Sequence, residues 1–385
     1  MITNQVNLYD ITNIDTLDCP NSEVGILAKN YWLPLMKVGS SQFINNVNSQ
    51  LLAITIDDLF LPITVNYQEL ENSYVCSPYS HYITYSKEEL YILKNPLIEK
   101  ILKILLNLMG IVLNFGKINQ VVIVNNWLFS TNLYPKLSKN QIAAITAFLK
   151  ERFPTHTIIF RSINTFSNDD LFNAFQENDY QMIASRQIYL FNFKYPSAMR
   201  TKMRWRLKQD FNLIEKEGYE VIEGDQISLA EVKRLVELYN ALYLEKYSYN
   251  NPQFNENFLE LALRNKTLQI QALRKAGRID GVIGFYEING VMTTPLLGYD
   301  TSLPQAVGLY RMLSAQLTIE ATKRGIILHQ SSGAASFKRF RGFIDNIEYS
   351  AVFDQHLSFS RQLVWRLLGL LVNKIAVPLI KKYKL

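Results

Sequence analysis

Several things are scarce in this 385-residue chain, and each scarcity removes a class of function. Only two cysteines occur, Cys19 and Cys76, so a disulfide framework is not available and a reducing cytoplasm is the expected compartment. The four histidines lie far apart and no Cys-x-x-Cys pair is present, so no metal is expected. Charged residues make up 19% of the chain and the net charge is +6. That balance suits a phosphate-bearing cofactor or an acidic partner and does not call for DNA. Met1-Ile2-Thr3-Asn4-Gln5 lacks the basic and apolar regions of a signal peptide. Unbroken apolar runs of the about 20 residues that cross a bilayer are also missing. Ile101 to Phe115 is interrupted by Lys103, Asn107, Gly110 and Asn114 and reads as a buried helix. Leu363 to Ile380 is broken by Arg366, Asn373, Lys374 and Pro378.

What is abundant is core material. Hydrophobic residues reach 48%, enough for a large interior, and the length suggests two domains. Strand-like runs at Leu51–Ile56, Phe60–Val65, Val121–Val124 and Thr157–Arg161 alternate with helical segments at Pro96–Phe115 and Ser138–Arg152. Near Gln181 a second series begins. A strand at Ile183–Phe193 precedes a helix capped by Ser197, and Gly218 ends that helix. Further on, Leu268–Arg274, Val282–Ile288 and Val291–Tyr299 form three strands joined at Ala276-Gly277 and Asn289-Gly290. A helix follows Pro304, then a short strand at Ile326–Leu328. Strand Val121–Val124, helix Ser138–Arg152 and strand Thr157–Arg161 mirror the later strand, helix and strand. The pattern is two copies of one α/β fold, the first degenerate because Tyr134-Pro135-Lys136-Leu137-Ser138 stands where the second has a glycine.

A glycine at a helix start lets an anion approach the exposed backbone N–H groups and the positive end of the helix dipole. Gln305-Ala306-Val307-Gly308, which opens the helix after the three-strand meander, resembles the pyrophosphate loop Q/R-x-x-G-x-G/A of the GNAT acyltransferase superfamily. Tyr310 stands at the last position, where that pattern has a small residue. The helix from Leu309 to Gly325, the strand after it, Phe337-Lys338-Arg339-Phe340-Arg341-Gly342 and the basic helix Arg200–Lys208 resemble the tandem-domain Fem-type branch.

The resemblance implies an α/β (α+β) fold of two GNAT-like domains, each a twisted mixed sheet flanked by helices. The degenerate copy would take residues 1–180, the catalytic copy 181–358, and an apolar, basic helical tail 359–385. It further implies N-acylation of a primary amine by acyl-CoA or by the phosphopantetheine thioester of an acyl carrier protein. Strands four and five would splay to admit the acyl arm. Backbone N–H groups of Leu296, Leu297 and Gly298 would meet the thioester oxygen, and Gln305, Ala306, Val307, Gly308, Leu309 and Tyr310 would hold the pyrophosphate.

His329, at the end of the strand beside the splay, is the first candidate base, with Asp300 and Glu287 as carboxylate alternatives. Lys338, in a compact basic cluster with Arg339 and Arg341, would meet cofactor phosphates or a carrier protein. Tyr79, His81 and Tyr82, in an aromatic loop, would line an acceptor pocket between the two halves. The acceptor would be an amine-bearing small molecule or a Lys- or ornithine-like side chain of a peptide. Tyr310, the apolar tail and the basic cluster favour a longer acyl group. The tail can pack across the domains, rest peripherally on a membrane or enclose an acyl chain. The alternative is a Fem-type transferase drawing on aminoacyl-tRNA, although no long helical arm stands between Ser197 and Leu268. A non-catalytic binding module is a third class.

Overall fold

Val121 to Val124 is a run of four β-branched residues, and it forms a wholly buried strand with partners on both sides. The computed structural model describes residues 5–93, 95–194 and 199–379. Along the chain the strands are β1 (Val6–Tyr9), β2 (Gln50–Ile56), β3 (Leu59–Asn66), β4 (Val121–Val124), β5 (Thr157–Asn164), β6 (Gln181–Asn192), β7 (Glu220–Glu223), β8 (Gln269–Lys275), β9 (Arg278–Ile288), β10 (Val291–Tyr299), β11 (Ile327–His329) and β12 (Ile344–Phe353). The α-helices are α1 (Glu23–Leu27), α2 (Leu33–Val38), α3 (Ser86–Glu89), α4 (Pro96–Phe115), α5 (Lys139–Arg152), α6 (Asp169–Gln176), α7 (Thr201–Lys216), α8 (Val232–Asn240), α9 (Glu256–Arg264), α10 (Leu309–Arg324), α11 (Ala335–Phe340) and α12 (Phe359–Leu371). Ser197, expected to cap the helix that is α7, lies outside the described residues.

The chain divides into two units. Unit one comprises residues 1–186, 250–253 and 347–385, and unit two comprises 187–249 and 254–346. The boundary therefore falls within β6 rather than at residue 180, and the last segment belongs to unit one. The reason is non-local pairing: Glu348–Phe353 of β12 run antiparallel to β5, far earlier in the chain.

In unit one the strand order is β1-β2-β3-β4-β5-β12-β6. Every pair with a described register is antiparallel except β4 with β5, which α5 joins as a crossover. Successive strand residues point to opposite faces, so each face has its own core. Val122, Val124, Ile158 and Phe160 meet Ile142, Ile145 and Leu149 of α5 and Leu171 and Phe175 of α6. On the other face Val121, Ile123, Ile159, Ile183 and Val352 meet Leu113 of α4 and Val364, Trp365 and Leu368 of α12. The helix expected over Ile101–Phe115 forms, but it is not buried. Only Gly110 and Leu113 are, while Leu97, Ile101, Ile104, Leu108, Ile111 and Phe115 are exposed. The C-terminal helix docks on unit one, with Trp365 Nε1 donating to Thr157 Oγ1 at 2.9 Å and Asn373 bonding to the Ala184 N–H and the Met182 carbonyl.

In unit two the order is β6-β11-β10-β9-β8-β7, antiparallel except for β10 with β11, which α10 joins. Two-residue turns at Ala276-Gly277 and Asn289-Gly290 have positive φ at both positions, which matches the twist of the strands they connect. One face of the sheet carries α7 and α10 through Leu213, Ile214, Leu309, Met312, Leu313 and Leu317. The other receives α8, whose backbone comes so near β10 that a Cβ on Gly298 would stand 2.5 Å from Leu238 C and Tyr239 N. Both units thus share the same order of five strands with a parallel fourth and fifth, the tandem α/β arrangement that the resemblance implies. Gly298→Ala is expected to lower unfolding free energy by about 1–3 kcal/mol in denaturant melts, because backbone cannot yield as a side chain does.

Candidate functional site

The parallel pair in unit two is short. Val291, Met292 and Thr293 of β10 pair with Ile327, Leu328 and His329 of β11, and the pairing ends there. At that point β10 carries an extra residue: Thr293 opposes Tyr286 of β9, and Leu296 opposes Gly284, so three steps on β10 match two on β9. This is a β-bulge, which bends the strand that carries it. Pro295 sits inside it and has no N–H to lose. Thr294 Oγ1 secures the bend through the Gly284 and Leu296 carbonyls at 3.0 and 2.9 Å. Beyond the bulge Leu296, Leu297 and Gly298 stay paired with β9, while their other edge has no β11 residue in register.

Just after β10, Gln305–Val307 make one 3-10 turn, and Gly308 follows with φ +79° and ψ 28°. An L-residue is strained in that conformation, and a Cβ would lie 3.0 Å from Leu213 Cδ1. No side chain caps the α10 that Gly308 opens. Its counterpart α5 is sealed by a capping box, Ser138 with Gln141. The first-turn N–H groups of α10 therefore have no capping side chain, and they form a positive helix end. Arg311 in that first turn adds charge. Its Nε donates to Asp210 Oδ1 at 2.7 Å, and Arg341 Nε donates to Asp210 Oδ2 at 2.5 Å. Asp210 is almost wholly buried, and the three side chains together carry a net +1. Sequence reasoning missed this trio. Its one signal was a lone acid at the end of the basic run Arg200–Lys208.

Tyr310 does not crowd the helix start. Its ring turns aside, 4.8 Å from Phe337 and 6.2 Å from Tyr299 between ring centres. Burial, with Tyr247, Tyr243 and Tyr299 close by, pushes its phenol well above the usual range and keeps it protonated.

His329 is buried at the register position where the strands part. Its Nδ1 accepts the Ser331 N–H at 3.1 Å, which puts the ring proton on Nε2. In this tautomer the residue is a donor, whereas a base must offer a lone pair. Asp300 ends β10 inside a charge cluster, with Arg234 Nη2 at 2.6 Å and Arg278 Nη2 at 2.5 Å. Burial raises its carboxyl, but the Ser302 hydroxyl and Arg234 outweigh burial and hold it at about 2, so its affinity for a proton is low. Glu287, on β9 opposite Met292, is half-buried, with Arg324 Nε 3.8 Å away.

Lys338, expected to meet cofactor phosphates or a carrier protein, turns inward. It is buried, and its ammonium donates to the carbonyls of Gln330 (2.5 Å), Ser332 (2.8 Å) and Ser331 (3.4 Å). Three donors on three carbonyls pin the loop after β11 and leave none to reach a phosphate.

The aromatic loop, expected to line an acceptor pocket, belongs to unit one. His81 and Tyr82 line a cavity inside unit one with Tyr74, Arg161, Ser350 and Trp365. Its volume is about 20 Å³, room for a water molecule and not for an acceptor. Tyr79 packs on Gly110 of α4. Nor does unit one keep a strand gap. After Val124 and Phe160 the space is filled by Asn126, whose Nδ2 meets Thr64 Oγ1 (2.8 Å) and the Val75 carbonyl (2.9 Å), and by Arg161 donating to Asn126 Oδ1 (3.2 Å).

No protein-family model matches the chain, and no curated protein matches it. Among solved structures it is similar to a conserved protein of unknown function from Bacteroides thetaiotaomicron, at 10% identity over 91% of this chain and all of that one, with a TM-score of 0.48. It is similar to a C-terminal domain assigned to a lysylphosphatidylglycerol synthetase of Agrobacterium fabrum, at 14% identity over 66% of this chain and 82% of that one, TM-score 0.47. A tandem GNAT protein from the clavulanic acid biosynthesis pathway is similar at 7% identity over 90% and 98%, TM-score 0.37.

Burial, then Arg161 and Arg186, depress the His81 imidazole from 6.5 to about 3. The folded state therefore holds His81 neutral while the unfolded chain takes up a proton as pH falls through 6.5. Stability is lost from about pH 6.5 down to about 3. The melting-temperature advantage of the natural chain over His81→Gln is expected to shrink from pH 7 to pH 4. An advantage that held or grew would contradict the buried, neutral state.

Proposed function

We propose that this chain is an N-acyltransferase whose second unit binds an acyl thioester at the start of α10 and passes the acyl group to a primary amine. The observation that carries the reading is the contrast between two equivalent helix starts. Ser138 and Gln141 seal α5, while α10 opens on left-handed Gly308 with no side-chain cap and Arg311 in its first turn. An uncapped helix end with a fixed positive charge is suited to a pyrophosphate. The donor is coenzyme A or the phosphopantetheine of a carrier protein, and its arm runs along the gap that opens after Thr293 and His329.

In the reaction the amine nitrogen attacks the thioester carbonyl and forms the C–N bond, the C–S bond breaks, and the proton that the nitrogen loses balances the one that the leaving thiolate gains. Backbone N–H groups on the outer edge of Leu296–Gly298 would face the developing oxyanion. His329, with its proton on Nε2, suits hydrogen-bond donation to the oxyanion or the leaving sulfur better than removal of the amine proton. Asp300 is better suited to holding Arg234 and Arg278 than to base catalysis.

One observation favours a second reading, an aminoacyl-tRNA donor. Helix α7 exposes Lys202, Arg204 and Lys208 together with Trp205, a basic and aromatic surface suited to a nucleic acid. Thermal shift with acetyl-CoA, a long-chain acyl-CoA and an aminoacyl-tRNA separates the two. The acyl-CoA arms are expected to raise the melting temperature. A response to tRNA alone would replace the first reading with the second. Arg311→Ala is expected to raise KM for the acyl donor on the order of tenfold with little change in kcat, as loss of ground-state binding does. His329→Ala should lower kcat on the order of a hundredfold.

A further inference from the structure

The outer faces of α4 and α12 have no part in the proposed reaction. Both helices lie on one face of the unit-one sheet, where Leu106, Met109 and Leu113 of α4 and Val364, Trp365 and Leu368 of α12 share one apolar core with Val121, Ile123, Ile159 and Val352. The side of each helix away from that core therefore points outward in the same sense. On α4 that side carries Leu97, Ile101, Ile104, Leu108, Ile111 and Phe115, at steps of four and three, all more than half exposed. On α12 it carries Phe359, Leu363, Leu367 and Leu370. The exposed apolar residues thus form continuous helix-long stripes rather than single scattered side chains, and such surfaces mark interaction sites.

The charges around it identify the occupant. Lys100 and Lys103 are exposed along one edge of the α4 stripe, and Arg366 and Lys374 are exposed on the C-terminal segment. From 359 to 385 the sequence has six Lys and Arg and no Asp or Glu. We propose that this two-helix face docks on an anionic lipid bilayer. The leucines, isoleucines and phenylalanines would enter the headgroup boundary, and the Lys and Arg stems would reach to lipid phosphates. A second copy of the chain fits less well, because pairing the face with itself would bring Lys100, Lys103, Arg366 and Lys374 against their own kind.

The segment Phe359–Leu379 is long and apolar enough to cross a membrane, but it is fastened to the sheet. Trp365 bonds to Thr157, Asn373 bonds to both Ala184 and Met182, and Arg361 bonds to the Gly116 and Lys117 carbonyls. Insertion would break all of these and uncover the core beneath. The geometry favours lying in the interface.

Sedimentation of the full chain with vesicles of phosphatidylcholine alone, or with about 30% phosphatidylglycerol, tests the proposal. Binding to the anionic vesicles is expected to be on the order of tenfold tighter and to weaken as salt rises. The double substitution Ile104→Glu/Ile111→Glu should abolish it, with the melting temperature reporting that the fold is kept. Lys100→Glu/Lys103→Glu should reduce only the preference for anionic lipid. Equal binding to both vesicles, or none, would overturn the proposal. So would vesicle-bound protein that resists carbonate extraction, which would mean a spanning segment. A dimer seen by light scattering and dissociated by Ile104→Glu/Ile111→Glu would assign the face to a second copy instead.

Discussion

Everything about the second unit depends on one conflict in its sheet. Strands β10 and β11 must pair to hold the crossover helix in place, and they must also part to leave a gap. The structure meets both demands by keeping three residues of parallel pairing and then inserting a bulge. The bulge costs ladder hydrogen bonds, and the Thr294 hydroxyl offsets part of that loss by bridging two carbonyls. At the bulge β10 bends while still held by β9, and α10 starts after the loop that follows the strand.

Unit one shows the same topology with the space after the parallel pair closed. Its parallel pair is likewise short, four residues against three, but Asn126 and Arg161 close the space and bond to each other and to the Val75 carbonyl. A buried guanidinium is tolerable only when such partners are in place. Burial holds the Arg161 pKa below its ordinary value. The first copy thus spends its polar groups on itself. In the second they are directed at the helix end, with one buried carboxylate, Asp210, orienting two arginines.

The hairpins of the second unit were legible because their signal is local: Asn289-Gly290 between apolar runs allows little else. Gly308 was legible for the same reason. The failures have a common cause, since charge and apolarity in a sequence do not say which way a side chain points. Lys338 reads as a solvated cation and is buried on three carbonyls. Helix α4 reads as core because it is apolar, yet it is apolar on both sides and only one side is covered. His81 and Tyr82 read as pocket residues and enclose a space the size of a water. The Asp210 trio joins residues a hundred positions apart, a distance no local pattern spans. The limits of the two units likewise follow a distant pairing, that of β12 with β5 across most of the second unit's sequence.

That last pairing bears on how the protein is made. A ribosome delivers the chain from its beginning, so β5 emerges long before the strand that completes its edge. Until residues 347–353 appear, unit one exposes an unpaired, apolar strand, the kind of edge that recruits other chains. Unit two, whose residues all lie between 187 and 346, can be fully synthesised while its predecessor is still unfinished. Unit one is therefore the last to close, and a chain that loses residues 347–353 leaves the edge of β5 unpaired.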